Sequence, residues 1–168
     1  RVKQDPLYAD YGYYLLGMAW LYESKNHLVE KRYSLAMTHA LQAANLYAKV
    51  ALVAPHSPLM KKLPERLAET DLARAEIAGF QDDWEGAKAA FSSGFLRLSR
   101  EKQLSRVQRP TILWYARACS LRPDEACESW AGQLGQALPE GSIEKAALRQ
   151  GFKRHRFAVS AYPTKFKG

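Results

Sequence analysis

The segment from Gly79 to Gly94 constrains the fold of this chain more than any other. Trp84, Ala87 and Phe91 recur in it at helical spacing, which predicts a helix with one apolar face. A single amphipathic helix cannot bury such a face without neighbouring elements. The segment therefore predicts the turn and second helix of a helical hairpin that packs against other helices.

The turn before this helix carries residue types that cap helices. Gly79 is suited to the left-handed position at the end of the preceding helix. Asp82 stands three residues before Glu85, which is the spacing of an N-cap in a capping box. We therefore predict a left-handed cap at Gly79 and an N-cap at Asp82.

Composition supports an all-α protein of one domain. The 168 residues suit one domain, and the eight prolines fall between periodic segments rather than within them. The longest uncharged run with apolar character, Tyr11 to Tyr22, is shorter than the roughly 18 residues of a membrane-spanning helix. Because the sequence begins at Arg1, we expect a processed or truncated chain.

Proline-containing breaks divide the periodic segments into three antiparallel helical hairpins and one closing helix. We predict a single helical-repeat domain over residues 1–157, in which the hairpins stack on one another. The hairpins span about 6–54, 64–105 and 111–138, the capping helix spans 142–157, and a basic tail spans 158–168. Within the first hairpin, the first helix is expected to end near Lys25.

An internal repeat accompanies these hairpins. The second helix of each carries an alanine followed four residues later by an aromatic residue. The pairs are Ala43 with Tyr47, Ala87 with Phe91, and Ala126 with Trp130. Small residues also recur in the first helices, for example Gly17. Because small residues let helices approach closely and aromatic residues fill the space beside them, this pairing predicts stacked hairpins.

The middle hairpin resembles the tetratricopeptide repeat (TPR) family. The chain as a whole is similar to a degenerate member of that family. The matching positions are Ala75, Trp84, Ala87, Phe91 and Gly94, where the family tends to place small and aromatic residues in this order. The resemblance implies a right-handed solenoid of helical pairs whose first helices line a concave groove.

The resemblance also implies which residues line that groove. They are Tyr11, Tyr14, Met18 and Tyr22 in the first hairpin, Glu69, Leu72 and Glu76 in the second, and Tyr115 in the third. Tyrosine is favoured where an apolar surface meets a partner. We therefore expect a scaffold or adaptor that binds a peptide or a partner protein in an aromatic-lined groove. The alternative for the tyrosines is that they form core.

Basic residues concentrate near the C-terminal end, which carries seven of the positive charges and no acidic residue after Glu144. A helical stripe is predicted there, made of Lys145, Arg149, Lys153 and Arg156. A second basic patch comprises Arg97, Arg100, Arg106 and Arg109. The stripe is either a solvated face or a docking site for an anionic membrane surface or nucleic acid, with nucleic acid the less favoured partner. A small-molecule-binding accessory protein is a further alternative.

Two cysteines, Cys119 and Cys127, flank a predicted turn and could form a disulfide or remain a buried reduced pair. A disulfide would indicate an extracytoplasmic, periplasmic compartment, and a reduced pair the cytoplasm. The four histidines have no metal-ligand spacing, and neither a phosphate-binding loop nor a nucleophile elbow is present. We therefore predict no enzyme, no cofactor and no metal site.

Overall fold

The computed structural model describes residues 8–146 and residue 148, and this part of the chain contains helices and no strand. The α-helices are α1 Ala9–Val29, α2 Tyr33–Val53, α3 Leu63–Phe80, α4 Trp84–Arg100, α5 Arg109–Leu121 and α6 Glu125–Ala137. Short 3-10 helices span Pro58–Lys61 and Leu104–Arg106. The all-α prediction is confirmed. Helical backbone resumes at 143–146, whereas most of the predicted capping helix and the tail at 158–168 lie outside the described residues.

The helices pack in adjacent pairs. α1 packs along α2 and α3 along α4, and the two pairs meet where α2 contacts α3. α3 also contacts α1 and α5, so that the first helices of successive pairs are neighbours. The backbones of α5 and α6 come close only around a disulfide, and both helices pack on α4. α1 ends at Val29, one turn beyond the predicted end at Lys25.

The core confirms two of the three predicted alanine–aromatic pairs. Ala43, Tyr47, Ala87 and Phe91 are all buried. In the third pair, Trp130 is buried against Phe95, but Ala126 is exposed. The reason is that α6 packs through side chains on α4 rather than along α5, so its alanine has no close backbone neighbour to cover it.

Small residues of the first helices meet aromatic rings. A Cβ atom placed on Gly17 would lie 2.6 Å from a ring carbon of Tyr47. A Cβ atom on Gly79 would lie 3.0 Å from Trp114 and 3.2 Å from Trp84. Glycine at these positions therefore lets each large ring lie directly against the neighbouring helix backbone.

The predicted caps at Gly79 and Asp82 are wrong. The left-handed residue of this turn is Asp82 itself, with φ 59°, and Asp83 is the N-cap that accepts a hydrogen bond from the Gly86 N–H at 2.9 Å. α3 continues through Phe80 because its ring stacks between Tyr33 and Trp114, which moves the turn beyond the glycine.

The same turn recurs twice more in the described residues. Lys31 and Lys102 also adopt left-handed backbone, with φ 61° and 57°. In all three turns, the N–H of the next residue donates to the carbonyl five positions back, at 2.7–2.9 Å. This is the bond of a Schellman motif, formed here around a lysine or aspartate instead of glycine.

No helix in the described part of the chain is long and apolar enough to cross a membrane.

Candidate functional site

A groove of about 600 Å³ lies between the last turns of α1, one face of α3 and the segment that leads into α5. Its α1 wall consists of Ser24, Lys25, Leu28 and Val29, and its α3 wall of Glu65, Glu69, Leu72, Ala73, Glu76 and Ile77. Leu98, Arg106, Val107, Gln108 and Thr111 complete the lining. The groove therefore has an apolar floor and a rim of mixed charge, with more carboxylates than cations.

The structure brings three of the predicted partner-binding residues together. Glu69, Leu72 and Glu76, all from α3, line this groove. Tyr11, Met18 and Tyr22 are exposed on α1, but they lie outside this groove. The reason is that the C-terminal half of α1, rather than its tyrosine-rich half, lies opposite the groove face of α3. Binding by any of these residues stays a prediction.

Two predicted groove tyrosines lie in the core instead of on an open surface. Tyr14 is 6% exposed and packs on Tyr47, and its hydroxyl accepts a hydrogen bond from Arg66 Nε at 2.9 Å. Tyr115 is only 1% exposed, and burial raises its pKa. The prediction that Tyr115 lines an accessible groove is therefore wrong. Replacing either residue with alanine would primarily test stability.

Tyr115 is buried against two stacked rings of α4, those of Phe91 and Phe95. Phe91 and Phe95 both meet it edge to face, with ring centroids 5.5 and 5.1 Å away. Its hydroxyl donates to the Ala126 carbonyl at 3.3 Å. Tyr115, which the sequence suggested as a partner-binding residue, instead contacts both α4 and α6 from α5.

The charges on the groove wall are held by exchangeable ion pairs. Glu69 pairs with Arg66 at 3.0 Å, and Glu65 pairs with Arg106 at 3.0 Å. All four side chains remain partly or largely exposed, and exposed pairs of this kind contribute about 0–1 kcal/mol. A cationic ligand that replaced Arg106 beside Glu65 would therefore cost little stability, whereas Arg66 is also held by its hydrogen bond to Tyr14.

The basic surfaces predicted from sequence are partly neutralised within the protein. Lys145 is mostly buried and pairs with Glu140, so it does not belong to an exposed stripe, contrary to the prediction. The other members of that stripe, Arg149, Lys153 and Arg156, lie outside the described residues. In the second patch, Arg97 pairs with the buried Asp71 at 2.8 Å, and Arg106 faces Glu65, whereas Arg100 and Arg109 are exposed.

Cys119 and Cys127 form a disulfide whose Cα atoms are 5.7 Å apart, and both residues are buried. Beside it, Lys88 of α4 donates to the Arg122 carbonyl and to Asp124, each at 2.6 Å. The Lys88 hydrogen bond holds the pKa of Asp124 below its usual value, while Asp124 also caps α6. The disulfide and this lysine thus fix the turn between α5 and α6 onto α4.

No family model, curated protein or solved structure matches this chain. Within the described residues there is also no group of three or more histidine, cysteine, aspartate or glutamate side chains placed to hold a metal ion.

Sequence reasoning missed the α1 wall of the groove, formed by residues 24, 25, 28 and 29. The prediction ended the first helix near Lys25 and placed Leu28 and Val29 in the second helix, so they were not expected on α1. A signal was present in the sequence, because Leu21 and Leu28 continue the apolar spacing that begins at Tyr14. The sequence carried no comparable signal for Arg106 and Val107. They lie in the connection between α4 and α5, whose irregular path brings them to the groove.

Proposed function

We propose that this chain is a protein–protein interaction scaffold that binds a peptide segment in the groove between α1, α3 and the start of α5. The carrying observation is the groove itself, which is lined by the first helices of successive pairs. Peptide recognition by helical arrays uses such grooves, with a few apolar side chains as anchors. The arrangement is also what a degenerate TPR-like solenoid would provide.

The lining favours a peptide that carries apolar side chains flanked by lysine or arginine. Leu28, Leu72 and Val107 offer apolar contacts on the floor. Glu69 and Glu76 lie about two turns apart along the same wall of α3. Complementary charge sets orientation and association rate more than affinity, so the apolar floor would supply most of the binding free energy.

A displayed peptide library selected on the wild-type protein tests this proposal, with affinities measured by fluorescence polarisation. We expect selected peptides to bind a Glu69→Lys, Glu76→Lys variant at least tenfold more weakly, a loss of about 1.4 kcal/mol. Raising the salt concentration should weaken wild-type binding, because exposed charges are screened.

The matched control is Glu23→Lys, which makes the same kind of charge change on an exposed part of α1 outside the groove. It should leave peptide affinity unchanged after the small effect of net charge is allowed for. Circular dichroism should show native helicity in every variant. Equal affinities for the wild type and the groove variant would mean that the peptide binds elsewhere and would refute the groove as the site.

The disulfide supports a second part of the proposal, that the chain functions in an oxidising compartment such as a periplasm. Alkylation of free thiols in freshly lysed cells, before and after reduction, reports the state of Cys119 and Cys127. We expect both to react only after reduction. Full labelling without reduction, in cells that produce the chain in its native context, would place it in a reducing compartment.

A further inference from the structure

An exposed apolar stripe runs along α1 on the side away from α2, and its last two positions, Lys25 and Val29, also line the groove. Its members are Tyr8, Tyr11, Leu15, Met18, Tyr22 and Val29, which are 38–83% exposed. Their spacing alternates between three and four residues, with Lys25 completing the series before Val29. Large apolar side chains rarely stay exposed in one continuous row unless another surface covers them.

The spacing identifies the kind of surface that would cover this stripe. Positions 8, 15, 22 and 29 and positions 11, 18 and 25 each repeat every seven residues, as in the seam of a coiled coil. The residues beside the seam on its open side are small, since Gly12 and Ala19 are exposed and a Cβ atom on Gly12 would meet nothing within 4 Å. A second helix can therefore approach α1 closely along this side.

We infer that the stripe pairs with α1 of a second copy of this chain, in an antiparallel and two-fold symmetric arrangement. A coiled-coil seam requires a partner with the same heptad pattern, and α1 of another copy supplies it. Tyr11 to Tyr22 contains no charged residue, so two copies meet there without like-charge repulsion.

The single charge within the seam selects the antiparallel orientation. In a parallel pair, Lys25 of one copy would lie beside Lys25 of the other. In an antiparallel pair whose axis passes between Leu15 and Met18, Lys25 instead lies beside Tyr8 of the other copy, where cation and ring attract. The same register places Tyr11 opposite Tyr22 and Leu15 opposite Met18.

The area available suits a specific dimer. A large aromatic side chain presents roughly 150–250 Å² to an interface, and three tyrosines of the stripe are more than half exposed. With Leu15 and Met18, each copy offers several hundred Å², on the scale of the ~800 Å² per partner in standard interfaces. A membrane surface fits less well, because α1 lacks the row of basic residues that accompanies apolar faces of membrane-bound helices.

Sedimentation equilibrium of the full chain tests the dimer, in the absence of any groove peptide. We expect a concentration-dependent dimer for the wild type and a monomer for Leu15→Glu, Met18→Glu, which brings four carboxylates together at the two-fold axis. The control is Leu52→Glu, at an even more exposed leucine on α2, and it should remain dimeric. All three proteins should show the same helicity.

Cross-linking tests the orientation. Oxidation of a mixture of Tyr11→Cys and Tyr22→Cys proteins should give a covalent heterodimer, joined by a disulfide between positions 11 and 22. Either protein alone should cross-link poorly. Efficient cross-linking of Tyr11→Cys with itself would overturn the antiparallel register. A wild-type chain that is monomeric at every concentration would overturn the dimer, whatever else binds the stripe. The groove variant Glu69→Lys, Glu76→Lys should dimerise normally, which separates this inference from the proposed function.

Discussion

Reduction of the disulfide between Cys119 and Cys127 should lower the free energy of unfolding by about 2–3 kcal/mol, the value that loop closure gives for so short a separation. For a chain of this length, that loss corresponds to a melting temperature lower by roughly 4–12 °C. The expected effect is large because few contacts join α5 directly to α6 besides this bond and the hydrogen bond from Tyr115 to the Ala126 carbonyl. Differential scanning calorimetry with and without reductant measures it.

Hydrogen exchange shows which helices lose stability when the disulfide is reduced. After reduction, amides of α6 should exchange faster, whereas those of α3 should change little, because α3 is packed between two neighbouring pairs. A Cys119→Ala, Cys127→Ala variant provides the control, since its melting temperature should not respond to reductant. If reduction left the wild-type melting temperature unchanged, the cross-link would not be what holds α6 in place.

Gly17→Ala should destabilise the protein by about 1–3 kcal/mol, the usual range for overpacking a filled core. The added methyl group would lie 2.6 Å from the ring of Tyr47, which is fully buried and cannot swing into solvent. This cost opposes the helix propensity of alanine, which alone would stabilise the helix by up to about 1 kcal/mol. Urea denaturation followed by circular dichroism gives the difference.

Gly12→Ala is the matched substitution on the same helix. A Cβ atom there would meet nothing within 4 Å in the monomer, so at monomeric concentrations the variant should be more stable than the wild type by about 0.5–1 kcal/mol. The cost at Gly17 should also shrink in a Tyr47→Leu background, since the two sites are in contact. Equal effects at Gly12 and Gly17 would show that the small-to-aromatic pairing does not hold α1 against α2.

Much of this architecture can be predicted from local patterns in the sequence. Helical spacing and proline breaks locate the helices, and the pairing of small with aromatic residues identifies Tyr47 and Phe91 as core. Where the turn falls cannot be predicted in the same way. Glycine at position 79 favours a left-handed cap, but the helix continues past it to Phe80, whose ring packs on Tyr33 and Trp114.

The candidate groove is harder to predict because it depends on how one pair of helices packs against the next. That Glu69 and Glu76 share one face of α3 follows from their spacing along one helix, which is a local property of the sequence. Which half of α1 faces this groove depends on the relative placement of two helix pairs, and a shift of two turns exchanges Tyr22 for Val29. Burial of Tyr115 likewise depends on rings supplied by α4, far from it in sequence.

Hydrogen exchange of the wild-type chain, with and without a library-selected peptide, tests the proposed interaction function most directly. The groove predicts slower exchange in three places: the last turns of α1, the middle of α3 and residues 106–111. Exchange in α2, which contributes nothing to the groove lining, should stay the same. Protection confined to α6 or to the first turns of α1, with α3 unchanged, would contradict the groove as the binding site.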